Sequence, residues 1–116
     1  SVSELTQLQA AIDASVDTDQ IVILDVYADW CVEGRHLEKK TFEQPLVRSW
    51  LNENQLLRFD VTDNNQMDRK FLSQFMLYGP PAVLFFKKGK EVSESRTIGF
   101  VDAKEFLEII KQVEQK

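Results

Sequence analysis

The sequence has few of the residues from which catalytic and metal centres are usually built. Among 116 residues there is one cysteine, Cys31, and one histidine, His36. A lone thiol cannot close an internal disulfide, so the chain must fold on its apolar core alone. One cysteine and one histidine, with no further clustered ligands, do not make a zinc site. The acids Asp60, Asp63 and Asp68 miss the spacing of a calcium loop. Long apolar runs are missing as well: none approaches the ~20 residues that span a bilayer, and the longest, Ala82-Val83-Leu84-Phe85-Phe86, has the length of a buried strand. There is no basic block. Lys and Arg are interspersed with acids and the net charge is -5, which argues against a general affinity for nucleic acid or anionic lipid. No internal repeat, low-complexity stretch or signal peptide is evident. The opening Ser1-Val2-Ser3-Glu4 reads as a processing boundary, compatible with a secreted or membrane-tethered parent.

What is present is the balance of an ordinary globular protein, 43% hydrophobic and 28% charged. The length fits one compact domain spanning 1–116, which can bury roughly two-thirds of its unfolded surface. Leu5, Leu8, Ile12 and Val16 recur at helical spacing and predict a helix over about 3–16. Ile21 to Tyr27 is β-branched and apolar almost throughout, the pattern of a strand covered on both faces. A polar, helix-compatible segment runs from Cys31 to Lys40, and Pro45 can open a further helix carrying Val47, Trp50 and Leu51. A second strand is expected over 55–61, then a helix with Met67, Phe71 and Phe75 in the core. The strand Ala82–Phe86, a tight turn at Lys87–Lys90 and a partner strand over 95–99 follow. Phe106, Leu107, Ile110 and Val113 mark the closing helix. Strand–helix–strand units need parallel crossovers, whereas the short lysine-rich turn needs an antiparallel pair. The fold class is therefore α/β, a three-layer sandwich with a central mixed sheet and helices on both faces.

Three residues draw attention to chemistry. Cys31 stands at the start of a helix, where unpaired backbone N–H groups and the helix dipole favour the thiolate, the nucleophilic form; the alternative is a small buried hydrophobe. Asp25 lies in the middle of the most apolar strand, where an unpaired charge costs several kcal/mol, so its protonation should be displaced upward; the alternative is an acid hydrogen-bonded to backbone. Glu38 follows Cys31 by seven residues, two turns on and close to the same face; the alternative is a solvated helix glutamate. His36 falls well round the helix from Cys31 and reads as a surface residue.

The run Leu24-Asp25-Val26-Tyr27-Ala28-Asp29-Trp30-Cys31 resembles the strand and active-site entry of thioredoxins. The longer stretch through Val32, with Leu37-Glu38-Lys39-Lys40-Thr41-Phe42 and Pro45, is similar to the C-terminal thioredoxin-like domain of the DsbD family of thiol:disulfide interchange proteins. Tyr78-Gly79-Pro80-Pro81-Ala82 resembles the proline loop that faces the active site in that family. The resemblance implies a cis peptide bond before Pro81, thiol–disulfide exchange with Cys31 as the attacking thiol, and proton adjustment by Asp25 and Glu38. It implies a partner-binding rim of Trp30, Val32, Tyr78, Pro80 and Pro81. The implied partners are other thiol/disulfide protein domains, namely the N-terminal and transmembrane domains of DsbD. The implied setting is the periplasm, as a domain of an inner-membrane protein that feeds electron transport and cytochrome c biogenesis. No cofactor, metal or nucleic acid enters this reading, and the chain reads as a monomer.

One departure matters. The family pattern is Cys-X-X-Cys, and this chain reads Cys31-Val32-Glu33-Gly34. By the resemblance Gly34 occupies the place of the resolving cysteine, which attacks the mixed disulfide and releases product. Glycine costs up to about 1 kcal/mol relative to alanine inside a helix, so it brings no local stability. Either the position was substituted to disable or trap the enzyme, which the otherwise intact surroundings favour, or a natural domain has lost its resolving thiol. The chain is expected to perform the first half-reaction and stall as a mixed disulfide. The alternatives are a redox-inactive binding module and a monothiol, glutaredoxin-like enzyme; the second is disfavoured because Arg35 is the only basic residue beside Cys31 in the sequence.

Overall fold

The computed structural model describes residues 2–116; Ser1 and the side chains of Val2 and Ser3, part of the opening read above as a processing boundary, lie outside the described residues. Two strands with apolar residues at nearly every position form the middle of the sheet. Strand β1 (Val22–Tyr27) pairs in parallel with β2 (Gln55–Asp60) and antiparallel with β3 (Ala82–Lys87). Side chains alternate across a strand, so β1 and β3 each supply two core layers. Val22, Leu24, Val26, Leu84 and Phe86 pack with residues of α1 (Val2–Ser15) and α4 (Gln66–Gln74). Ile23, Val83 and Phe85 pack on the other face with α3 (Pro45–Glu53) and α5 (Ala103–Gln115). The three-layer α/β arrangement predicted from the sequence is the one observed.

Local signals set most element boundaries. Pro45 occupies the first turn of α3, where a missing N–H costs nothing. Asn65 and Asp68 form a reciprocal capping box that opens α4. The short helix α2 (Val32–His36) continues into a π-helical stretch, Leu37–Phe42, whose buried residues are Leu37, Thr41 and Phe42. The Thr41 hydroxyl donates to the Val101 carbonyl at 2.5 Å, which ties this stretch to the entry of α5.

The structure departs from expectation at three places. The partner strand expected over 95–99 is split in two: β4 (Lys90–Glu91) and β5 (Thr97–Ile98) both pair with β3, separated by a 3-10 turn at Ser93–Ser95. A two-pronged ion pair from Arg96 to Glu91, at 2.6 and 3.0 Å, clamps the two sides of that turn. The turn joining β3 to β4 is only Lys88-Gly89, both with positive φ (51° and 86°), as the twist of a two-residue hairpin demands. Val16, expected on the inner stripe of α1, is exposed because the helix stops at Ser15, whose hydroxyl turns back to the Ile12 carbonyl at 2.9 Å. Met67, expected in the core, is 45% exposed; Phe71 and Leu72 take the inner face of α4, and Phe71 stacks on Phe59 at a centroid distance of 3.6 Å.

Phe106 organises the second core layer. It is fully buried and meets Phe42 at 5.4 Å and Phe85 at 5.9 Å between centroids. Phe106→Ala is expected to lower stability by about 3–5 kcal/mol through lost burial and the cavity left behind, read from the midpoint of urea unfolding. A loss under about 1 kcal/mol would mean that the layer collapses around the gap.

Candidate active site at the start of α2

The loop that leaves β1 delivers Cys31 to the N-cap of α2. Its backbone is extended (φ -86°, ψ 108°), the Arg35 amide donates to its carbonyl at 3.1 Å, and its own amide donates to the Ala28 carbonyl at 3.1 Å. The thiol accepts no capping hydrogen bond. The residue is 9% exposed, more covered than an openly accessible nucleophile, because it completes the core layer that also holds Ala28 and Ala82.

Position 34 faces the sulfur. An ideal Cβ built on Gly34 lies 3.6 Å from the Cys31 Cβ, 3.6 Å from its Sγ and 3.7 Å from the Pro81 Cβ, all ordinary contacts. Pro81 is buried, and the Pro80–Pro81 peptide bond is cis. Its carbonyl accepts from the Gly99 amide at 2.9 Å, which joins the proline loop to β5. Trp30, Val32 and Tyr78 are exposed, and Pro80 is half-buried. Trp30 is pinned despite its exposure, its indole N–H donating to the Thr62 carbonyl at 2.9 Å. Two further apolar residues, Ile98 and Phe100, are exposed on either side of Gly99. Nothing in the sequence marked them, because β5 reaches the proline loop only through its pairing with β3. His36 is exposed.

Asp25 is 2% exposed on the α3–α5 face of β1. Burial pushes its carboxyl up and the Arg58 guanidinium pulls it part of the way back by charge and hydrogen bonding, which leaves it raised from 3.8 to about 6. Arg58 is the residue that sequence reading missed. It stands directly opposite Asp25 in the β1–β2 register and makes three contacts: Nε to Asp25 Oδ2 at 3.2 Å, Nη2 to Glu38 Oε1, and its Cζ at 3.9 Å from the Tyr27 ring centroid. The last is within cation–π range. Arg58 thus joins Asp25 and Glu38 into one unit. The available signal was an arginine set between the apolar Leu57 and Phe59 of a strand; the acid it would meet depends on register. Asp25, Glu38 and Arg58 line a cleft of about 250 Å3, which gives the buried acid a polar path toward solvent.

The raised carboxyl has a consequence for stability. Between about pH 4 and 6 the folded chain holds a proton at Asp25 that the unfolded chain has released, so stability from this group is full below 3.8 and lost as pH rises through about 6. The gap corresponds to about 3 kcal/mol. Asp25→Asn removes that dependence, so its stability relative to the parent should grow by that order between pH 4 and 8 in paired urea titrations. Equal pH profiles for the two chains would refute the buried, weakly compensated acid. Arg58→Met should drive the Asp25 carboxyl higher still, read from its carbonyl stretch or carbon chemical shift.

Comparison with known proteins places this geometry. The family described as "Thioredoxin-like domain" matches residues 8–114. The thiol:disulfide interchange protein DsbD 1 of Pseudomonas aeruginosa is 42% identical over 98 residues, covering 84% of this chain and 17% of that protein. DsbD of Actinobacillus pleuropneumoniae is 38% identical over 113 residues, covering 97% of this chain and 19% of that protein. The chain therefore spans less than a fifth of the length of these curated relatives. Among solved structures, the C-terminal domain of Neisseria meningitidis DsbD in its oxidised form superposes with a TM-score of 0.78 at 32% identity, covering 93% of this chain and 94% of that one. The same domain in its reduced form gives 0.75 at 32% identity, covering 93% and 95%. The chain belongs to the thioredoxin-like domain family, with DsbD thiol:disulfide interchange proteins as its relatives and the C-terminal domain of DsbD as its structural counterpart.

Proposed function

We propose that this domain carries out thiol–disulfide exchange through Cys31 and stalls after the first half-reaction. The Cys31 thiolate attacks a disulfide of a partner protein. One partner sulfur leaves as thiolate, and the other stays bonded to Cys31. Release then needs a second thiol, and this chain has none. The observation that carries the reading is the geometry at position 34. Disulfides hold their Cβ atoms roughly 3.5–4.5 Å apart, and the distance available here is 3.6 Å, with the Cys31 sulfur beside it. The backbone is spaced for a thiol pair although one member is glycine. Asp25 and Glu38, joined through Arg58, would adjust protonation during exchange. Trp30, Val32, Tyr78, Pro80 and Pro81 would hold the partner segment. By relation to DsbD the proposed setting is the periplasm, as one domain of a longer inner-membrane protein, between a membrane domain and an N-terminal domain whose electron relay would need the second thiol that this chain lacks.

A second reading, a binding module that recognises partners without covalent chemistry, draws on the contrast between a largely covered sulfur and the exposed Trp30, Val32 and Tyr78. One experiment separates the two. Mixed with a disulfide-bearing partner domain, the chain should accumulate a one-to-one covalent complex that a reductant dissolves, and alkylated chain should give none. Gly34→Cys should close a bond to Cys31 under mild oxidation and raise disulfide-reducing turnover by on the order of a hundredfold, a modest part of what an intramolecular nucleophile can gain. A variant whose two thiols stay free after oxidation, or a parent that forms only a non-covalent complex, would overturn the exchange reading.

A further inference from the structure

Trp30 is exposed, and an exposed indole is ordinarily free to turn about its side-chain torsions. This one is tied. Its N–H donates at 2.9 Å to the carbonyl of Thr62, in the loop that leaves β2. Tyr78, by contrast, projects fully into solvent. Thr62 also holds the backbone next to the indole, because its hydroxyl oxygen accepts from the Asp29 amide at 2.9 Å. Its neighbour Val61 donates through its amide to the Tyr27 carbonyl at 2.8 Å. The segment that runs from Tyr27 to Cys31 is therefore stitched to this loop at residues 27, 29 and 30.

Thr62 serves as an anchor because Asp60 holds it in turn. One carboxylate oxygen, Asp60 Oδ1, accepts from the Thr62 amide at 2.8 Å and from the Thr62 hydroxyl, a local turn closed by an acidic side chain. A hydroxyl has one proton to give and two lone pairs to offer. Here the proton goes to Asp60 and a lone pair receives the Asp29 amide, so the oxygen acts in both directions at once. Valine has the shape of threonine without this oxygen, whereas serine keeps the oxygen. The core does not need the arrangement: all four of these bonds lie at the surface, where water replaces them at small cost. Their effect is to fix an exposed aromatic before anything touches it. A side chain already ordered loses less freedom when a partner closes on it.

We propose that Asp60 and Thr62 are positioning residues for partner recognition, which set Trp30 and the backbone beside it in advance of docking. The inference rests on the reading above in one respect, that Trp30 belongs to the partner-binding rim. It does not depend on the chemistry of Cys31, and it holds equally for covalent capture and for a binding module. The partner that gains is a protein surface large enough to cover the indole.

The test uses the full chain with Cys31→Ala, which prevents covalent capture, and the oxidised N-terminal domain of a DsbD protein as the partner. The chain has two tryptophans, so a nitrogen-15-labelled sample shows two indole N–H signals, assigned with Trp30→Phe. The Trp30 indole should show an order parameter near the rigid value of about 0.85, falling below about 0.6 in Thr62→Val and in Asp60→Ala. Titration with the partner domain, followed through the Trp30 signal, should give a Kd raised by roughly three- to tenfold in both variants, the effect of ordering one large side chain beforehand. Thr62→Ser should match the unsubstituted position in both measurements. A Trp30 indole that is already mobile with Asp60 and Thr62 in place, or that does not respond to the partner domain, overturns the proposal. So does a Kd that Thr62→Val and Asp60→Ala leave unchanged. The exchange reading is judged separately, by whether the chain with Cys31 intact forms the reducible complex, and its failure leaves these results standing.

Discussion

A carboxylate in a strand covered on both faces is the constraint around which the site is organised. β1 contributes to two core layers at once, and every position in it but Asp25 and the half-buried Tyr27 is apolar and buried. Desolvation there outweighs the attraction of Arg58, which is why the carboxyl sits near 6 rather than in the ordinary range. The same constraint explains the position of Arg58. A guanidinium has five donors in a flat fork, so it can meet Asp25, reach Glu38 and lie on Tyr27 at once. A lysine in its place would have neither the fork nor the flat face.

The ceiling of the site comes from a different part of the chain. The cis proline at 81 stands over position 34, and its carbonyl holds the Gly99 amide. The split of the last strand follows from this meeting. β4 pairs with one end of β3 and β5 with the other, and the 3-10 turn between them lets the chain return to the proline loop. Gly99 has φ 81°, and an added Cβ would stand 3.4 Å from the Glu33 carboxylate. Glycine there serves the backbone conformation, which L side chains rarely adopt.

Between floor and ceiling, a Cβ added at position 34 would make only ordinary contacts with Cys31 and Pro81. The number of thiols then decides the chemistry. Under the exchange proposed above, two would allow an intramolecular release, and one would leave release to a nucleophile from solution. The raised acid, the arginine and the glutamate lie under both cases unchanged.

Much of the fold was legible in the residues. Helical spacing marked α1, α4 and α5, Pro45 marked the start of α3, and the uninterrupted apolar runs marked β1 and β3 as central strands. These signals are local, because each depends on residues a few positions apart on one element. Cys31 and Asp25 were singled out because each is conspicuous against its neighbours, and Glu38 because it follows Cys31 by two helical turns and matches the family resemblance. The sequence by itself therefore determined the layer architecture and the identity of the single sulfur. Only the tertiary structure decided that Arg58 pairs with Asp25 and Glu38, that Ile98 and Phe100 flank the proline loop, and that Thr62 holds the loop before Cys31. Those outcomes rest on strand register and on segments far apart in the chain packing against one another, and a one-residue slip of β2 against β1 would have turned Arg58 to the other face.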